Sequence, residues 1–336
     1  MVTPADERRF YRFLIRAAFV IVSAGSLIAL LGEQFWVAEL FTHFRLYYVL
    51  IQALLTLIFL YSGHRKLMAM TVLLALPNVW VVGPYLMPEM VSMGDAGATV
   101  NVDTGITMAV LNVHYQNDGY TQVADYLRER DPDIIIISEF TSAWQDALDF
   151  LRESHSHVLA EARSGHWGHA VFSRLPFADA ELINLANTDA VHARFVIEVG
   201  EMPLEVFAVH LFAPTSPVLA HNRNLQLEDL ADRLVASPHR RLVVGDMNLT
   251  PYSPYFDRFT ERSGLQDARR VDGIHITWPA SALPIWIPID HALADPAANV
   301  ARVRTGPDVG SDHFPLEIFL SDQAGAPGEN DTAVYQ

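Results

Sequence analysis

Apolar residues crowd into the first quarter of this 336-residue chain, in three uncharged runs at residues 17–32, 46–63 and 67–88. The runs are apolar on every side, whereas a helix on the surface of a soluble domain needs only one apolar stripe. The second and third hold 18 and 22 residues, near the roughly 20 that a helix needs to cross a bilayer core. The first reaches about 19 apolar positions once Phe13, Leu14 and Ile15 join it and Arg16 snorkels to the interface. No small-residue cleavage site follows it, and a second apolar run comes next, so a removed signal peptide does not fit. Residues 1–88 therefore read as a membrane domain of three transmembrane helices.

The pattern then changes. Residues 89–105 are small and polar and read as a linker. Beyond them, short apolar stretches that predict strands occur at 107–112, 134–137, 170–173, 194–199, 204–209, 242–244, 291–293 and 316–320. Helical spacing marks 120–129, 144–152 and, most clearly, 222–236, where Leu225, Leu227, Leu230, Leu234 and Val235 supply the apolar set. Several strands come in neighbouring pairs with no room for a crossover helix, so mixed rather than purely parallel sheets are expected. The fold class is α/β of the α+β type: a four-layer sandwich of two packed mixed β-sheets flanked by helices, spanning 106–320. Residues 321–336, rich in Gly, Pro, Asp and Asn, read as a disordered tail.

Charge orients this plan. Arg8, Arg9, Arg12 and Arg16 precede the first run, and Arg65 and Lys66 separate the second from the third, while the first inter-run segment carries Glu33 and Glu39. The positive-inside rule places the N-terminus in the cytoplasm, and three spans carry everything after residue 88 to the periplasmic or extracellular side of a cell membrane. Seven of the 23 basic and five of the 39 acidic residues lie at or before residue 90, so residues 91–336 are net −18, without one lysine. Such a surface repels a phosphate backbone and argues against tight nucleic-acid binding. The chain has no cysteine, which removes disulfide and thiol chemistry.

Two polar motifs carry the chemistry. Leu242-Val243-Val244 runs into Gly245-Asp246-Met247-Asn248, and Gly310-Ser311-Asp312-His313 precedes the last apolar strand. Carboxylates, a carboxamide and an imidazole at strand ends are what a metal-assisted hydrolase needs: a cation site, a base for water and donors for developing charge. Each motif alone is as well explained by turn chemistry. Upstream, Asn112, Glu139, His210 and Asp290 also stand at strand ends.

In this set the chain resembles the endonuclease/exonuclease/phosphatase superfamily, typified by pancreatic deoxyribonuclease. The matching segments are 111–113 (LNV), 132–139 (PDIIIISE), 170–174 (AVFSR), 207–211 (FAVHL), 243–248 (VVGDMN), 277–278 (TW), 289–293 (IDHAL) and 310–315 (GSDHFP), in the family's order. The resemblance implies metal-binding roles for Glu139, Asn112 and Asp312, with Mg²⁺ as the expected cation. It implies catalytic roles for His210, Asp246, Asn248, Asp290 and His313, Asp290 orienting His313 and Asp246 acting on the attacking water. Arg174, Asn248, Thr277 and Trp278 are expected near substrate phosphate, with packing beneath the site an equal reading for Trp278.

One departure stands out. His114 occupies a position where relatives often carry Asn or Asp, which leaves room for Mn²⁺ and puts a second metal ion in doubt; Asn117 could supply the missing amide. His166, His169 and His192 receive no role. The expected activity is hydrolysis of a phosphodiester or phosphomonoester at a membrane, with a lipid head group or small phosphodiester as substrate. The alternatives are an extracytoplasmic nuclease acting on DNA and a catalytically retired binding module.

Overall fold

The computed structural model describes residues 4–86 and 105–321, except 201, 272, 274 and 282–284. The expected linker, apart from its last residue, and the tail beyond residue 321 lie outside these. The described chain divides into two units.

The first unit holds α1 (Pro4–Ala29), α2 (Trp36–Thr42), α3 (Arg45–Tyr61) and α4 (Arg65–Leu86), together with Leu249–Asp257, whose last four residues begin a helix that continues in the second unit. Two helical stretches, Arg9–Ala29 and Arg65–Leu86, are long and apolar enough to cross a membrane; α2 and α3, bent by 58°, make a third candidate if counted as one span. Large apolar side chains on these helices are exposed, among them Phe13, Ile21, Leu54, Leu57, Leu73 and Trp80. Inside the bundle the few polar groups bond to one another. Gln52 Nε2 donates to Ser26 Oγ at 2.9 Å, Asn78 Nδ2 to the same oxygen at 3.0 Å, and Arg45 Nη1 to Asn78 Oδ1 at 3.2 Å. In apolar surroundings such mutual satisfaction is what lets these groups be buried at all. The short α2, absent from the expected plan, buries Glu39, which accepts from Ser253 Oγ at 2.9 Å.

The second unit runs β1 (Ile106–Asn112), α5 (Tyr120–Arg130), β2 (Ile134–Ser138), α6 (Ser142–Ala147), β3 (His157–Glu161), β4 (His169–Ser173), β5 (Asp179–Ile183), β6 (His192–Val199), β7 (Met202–His210), α7 (Pro217–Ala236), β8 (Arg240–Asp246), α8 (Pro254–Ser263), β9 (Gln266–Asp267), β10 (Asp290–Ala294), β11 (Val300–Thr305) and β12 (Leu316–Leu320). The strands form two six-stranded mixed sheets, ordered β11-β12-β1-β2-β4-β3 and β5-β6-β7-β8-β10-β9. Each sheet has one parallel pair at its centre, β1 with β2 and β7 with β8. A helix bridges each pair, α5 in the first and α7 in the second, as a parallel connection requires.

Alternation along the strands builds the core. Met108, Val110, Ile134, Ile136 and Val171 of the first sheet belong to one apolar cluster with Phe195, Val206, Ala208, Leu242 and Val244 of the second. The opposite face of the first sheet, with Ala109, Leu111, Ile135 and Ile137, meets Val123, Tyr126 and Leu127 of α5 and Trp144 of α6. The run Ile134–Ser138 is buried at every position because both its faces are covered.

Two expected helices differ in their bounds, and four strands are additional. The helix expected at 144–152 is two pieces: α6, capped by Thr141 accepting from the Trp144 N–H, and a 3₁₀ turn at Asp149–Glu153. Helix α7 begins at Pro217 rather than 222, because Ser216 accepts from the Leu219 N–H and proline suits the first turn. Strands β3, β5, β9 and β11 were not expected; they are the four sheet edges.

Candidate active site

The parallel pairs bring the candidate residues to one end of the sandwich. Asn112 ends β1 opposite Ser138, so Glu139 follows directly beside it. His210 ends β7 opposite Asp246 at the end of β8, and antiparallel β10 starts at Asp290, also opposite Asp246. Gly245 makes the β7–β8 approach possible: its φ is +121°, and a Cβ there would stand 2.1 Å from the Val209 carbonyl oxygen. Glu139 and Asn248 both sit at positive φ, +61° and +51°, a conformation non-glycine residues keep only where the surroundings impose it.

The side chains converge across the two sheets. Asn112 Nδ2 lies 3.3 Å from Glu139 Oε1, 3.3 Å from Asp246 Oδ2 and 3.5 Å from His313 Nε2. His210 Nε2 stands 3.6 Å from Asp246 Oδ2 and 3.8 Å from Glu139 Oε1. His313 Nδ1 donates to Asp290 Oδ2 at 2.9 Å, leaving Nε2 3.7 Å from Asp246 Oδ2. His210 Nδ1 is 3.1 Å from the His166 carbonyl, which only accepts, so the proton sits on Nδ1 and Nε2 faces the carboxylates. Ser311 supports the far motif from within: its hydroxyl donates to the Asn112 carbonyl at 2.6 Å and accepts from the His313 N–H.

Electrostatics divide the labour. Burial opposes charge on Glu139, but His210, the Tyr115 N–H at 2.8 Å and His166 outweigh it and hold its carboxyl below the usual range. Burial, then repulsion from Asp290, push Asp246 up to about 8. Burial works against charge on His313 as well, yet Asp290, Asp246 and Asp312 lift it to about 10. Against the burial penalty, His313 and then Thr277 keep Asp290 below its ordinary value. Burial lowers His210. Two carboxylates, Glu139 and Asp290, are thus held ionised, Asp246 prefers a proton, and the His313 imidazole is held cationic.

Ligand atoms of Asp246, Asp290 and His313 lie within 4.8 Å of one another, close enough for a metal ion. That group differs from the expected Asn112, Glu139 and Asp312. Because His313 Nδ1 is already committed to Asp290, we read Asp290–His313 as a hydrogen-bonded dyad rather than two ligands. The hard donors that remain are Glu139 and Asp312, with Asp246 beside them; the expected Asn112 instead turns its Nδ2 to the carboxylates while its Oδ1 accepts the His114 N–H at 3.0 Å. Asp312 Oδ1 is buried without a hydrogen-bond partner, while Oδ2 accepts from Trp278 Nε1 at 3.2 Å. A buried carboxylate oxygen without a hydrogen-bond partner, close to other carboxylates, fits a hard divalent cation.

Other expected residues stand elsewhere. Arg174 is not at the site: β4 runs antiparallel to β2, so its His169 end meets Ser138 while Ser173 meets Ile134. Arg174 therefore lies at the far end of the sheet, bonded to Asp131 and near Asp133. Thr277 is fully buried and accepts from the Ile289 and Asp290 N–H groups, so it supports Asp290 instead of facing substrate. Asn117 spends its amide on the Val113 carbonyl and its oxygen on the Gly119 N–H, so it is a turn former. His114 Nδ1 stands 4.0 Å from Asp312 Oδ1. Two histidines given no role do meet the site. His166 Nδ1 is 3.3 Å from Glu139 Oε1, and His192 Nδ1 accepts the His210 N–H at 3.2 Å.

Comparison with known proteins agrees with this fold. The family model described as Endonuclease/Exonuclease/phosphatase family matches residues 98–313. Among solved structures, the 3′ phosphatase NExo from Neisseria bound to a product DNA hairpin is 19% identical, with a TM-score of 0.53 over 63% of this chain and 98% of its own. The D. rerio TDP2 complexed with single-strand DNA product is 17% identical, with a TM-score of 0.52 over 65% and 99%. An endonuclease/exonuclease/phosphatase from Beutenbergia cavernae is 18% identical, with a TM-score of 0.50 over 65% and 72%. At these identities the solved structures establish the fold. No curated protein sequence matches the chain.

Proposed function

Because the chain belongs to the endonuclease/exonuclease/phosphatase family and is a hydrolase acting on phosphoester bonds, we propose that it is a membrane-anchored, divalent-cation-dependent phosphoesterase. Its preferred substrates are small phosphodiesters or lipid head groups. The observation that carries the reading is the meeting of Asn112, Glu139, Asp246 and His313 around one point, within 3.5 Å of the Asn112 amide nitrogen.

Glu139 and Asp312 would hold the cation, Mg²⁺ by donor chemistry, with the Asn112 amide N–H steadying Glu139 and Asp246 beside it, and a bound cation would neutralise charge on the phosphoryl oxygens and lower the barrier to attack. Asp246 in its ionised form orients the attacking water and takes its proton as the phosphorus–oxygen bond forms; the proton it prefers to hold below about pH 8 must leave before it acts. His313, kept cationic by Asp290, faces the developing phosphoryl charge, and His210 lies where it can serve the leaving oxygen. Asn248, whose Nδ2 donates to the Leu211 carbonyl at 2.8 Å and Asp246 Oδ2 at 3.2 Å, spends both amide hydrogens on fixing Asp246 beside the end of β7, and would meet a phosphoryl oxygen only by giving up one of them. Water adds to phosphorus, the ester oxygen leaves with a proton, and no redox partner is needed.

The apolar helices and the net charge of −18 beyond residue 90 support the substrate class. Long nucleic acid binds through cations that neutralise its phosphates, and this unit has no lysine to offer. The nuclease reading draws on the DNA products bound in the NExo and TDP2 structures. The cation pattern around the first and second apolar runs supports an extracytoplasmic site. The deciding experiment compares Mg²⁺-dependent hydrolysis of phospholipid vesicles, a small aryl phosphodiester and DNA by the full-length protein in detergent. Hydrolysis of the first two is expected; hydrolysis of DNA alone overturns the substrate class. A Glu139→Gln variant that keeps the wild-type rate overturns the site.

A further inference from the structure

Helix α7 carries two polar side chains that solvent does not reach. Arg223 and Gln226 are both 0% exposed, and their three-residue spacing places them on one face of the helix. An unmet polar group in such a place costs about 1–3 kcal/mol, so each needs partners.

One partner of each is a backbone group in a connection that leaves an active-site strand; further partners are Thr188, between β5 and β6, and Asn224 on α7 itself. Gln226 Oε1 accepts the Phe212 N–H at 3.0 Å, and its Nε2 donates to Thr188 Oγ1 at 3.1 Å. Arg223 Nη1 donates to the Asn248 carbonyl at 3.3 Å, with Nε on Asn224 Oδ1 at 2.8 Å. Phe212 is two residues past His210, and Asn248 is two residues past Asp246. His210 and Asp246 are themselves paired across the parallel β7–β8 ladder. One helix face thus grips both chains at the same distance beyond paired strand ends. Asn248, at φ +51°, is the residue most in need of such support, since a left-handed backbone persists only when its surroundings over-determine it.

We infer that Arg223 and Gln226 are positioning residues for the hydrolytic reaction, with α7 acting as a clamp on the His210 and Asn248 connections. The inference rests on the phosphoesterase reading above. Arg223 fixes the carbonyl of the Asn248 peptide, and with it the direction of the Asn248 amide. Gln226 fixes the chain just after His210.

The test uses the full-length protein in detergent with Mg²⁺ and an aryl phosphodiester probe. Arg223→Met should lower kcat by about tenfold or more while KM changes by less than about threefold, as for loss of alignment in the transition state. In an Asn248→Ala background the same substitution should cost less than about threefold, because its effect passes through Asn248. Gln226→Leu should also lower kcat, and Gln226→Glu, which keeps an acceptor for the Phe212 N–H, should recover most of that loss. A wild-type kcat for Arg223→Met, or full multiplication of its loss with that of Asn248→Ala, overturns the inference. If Arg223→Met does not fold, Arg223→Lys, which keeps charge but loses the planar fork, replaces it under the same criteria. Failure of the phosphoesterase reading looks different: Glu139→Gln would keep full activity, or the wild type would hydrolyse none of the phosphoesters.

Discussion

His313 and Asp290 form a buried ion pair, Nδ1 to Oδ2 at 2.9 Å, and that single contact fixes which imidazole nitrogen faces Asp246. The proton on Nδ1 points at the carboxylate, so Nε2 is the working atom. Asp290→Asn keeps the shape but presents an amide that need not accept from Nδ1. The wrong tautomer then becomes available, and the charge on His313 loses its main support. The expected outcome is a fall in kcat of about 10²–10⁴ at neutral pH with little change in fold, on the scale seen when an orienting carboxylate is lost. Steady-state kinetics and circular dichroism of the purified variant check both halves.

Much of that dyad could be read in the chain before any coordinates, because Asp290 and His313 each adjoin a stretch of apolar residues that had to be a strand. The same logic found β1, β2, β7, β8 and β12, whose buried faces leave a strong apolar signal. It missed β3, β5, β9 and β11, which are the sheet edges. Strand β5, for example, alternates exposed and half-buried positions until its last residue. An edge strand carries polar residues and takes its pairing from a neighbour, so its signal is tertiary. Arg174 was misplaced for a related reason: an apolar run reveals a strand but not its direction, and β4 points its C-terminal end away from the site. Arg223 and Gln226 gave no signal because polar residues on an amphipathic helix ordinarily face water.

Removing divalent cations should make stability fall as pH rises. His313 titrates at about 10 in the folded chain against 6.5 as its ordinary value. A raised imidazole contributes stability that is complete below its unfolded pKa and is lost as pH climbs through the folded value. Asp246, at about 8 against 3.8, acts with the same sign across pH 4–8, since the folded state holds a proton that the unfolded state has released. Each group contributes a slope of up to about 1.4 kcal/mol per pH unit within its own window. Denaturant titrations in chelator at pH 6.5, 8 and 9.5 should show a declining midpoint. Asp290→Asn should flatten the upper part, and a midpoint that rises with pH contradicts the assignment.

The acid limb has a different origin. His169 and His192 are fully buried, and burial lowers His169 to about 3 and His192 well below its ordinary 6.5. Both nitrogens of His169 and Nε2 of His192 have no hydrogen-bond partner among the described residues. These rings are neutral when folded and charged when unfolded below pH 6.5, so the unfolded state binds more protons and stability must fall as pH drops from 6.5 towards 3. His169→Leu removes one such proton uptake and should shallow the acid limb by up to about 1.4 kcal/mol per pH unit. Denaturant midpoints of wild type and variant between pH 4 and 6.5 read this directly; parallel curves would show that His169 is not buried neutral.

Gly245 is where the requirements of fold and site are hardest to separate. Its φ of +121° disfavours any L side chain, and a Cβ would stand 2.1 Å from the Val209 carbonyl oxygen, so β7 and β8 would have to part. Those strands carry His210 and Asp246 on facing positions. Gly245→Ala should cost about 1–3 kcal/mol for the backbone conformation and a similar amount for overpacking. It should also reduce kcat beyond what the lost folded fraction explains, because any shift that admits the methyl group moves His210 relative to Asp246. Alanine at Val244, a neighbouring core position on the same strand, provides the contrast: it should lower stability by about 1–3 kcal/mol while leaving kcat per folded molecule near wild type. Equal kcat per folded molecule in the two variants would mean that the close approach at Gly245 serves the sheet alone.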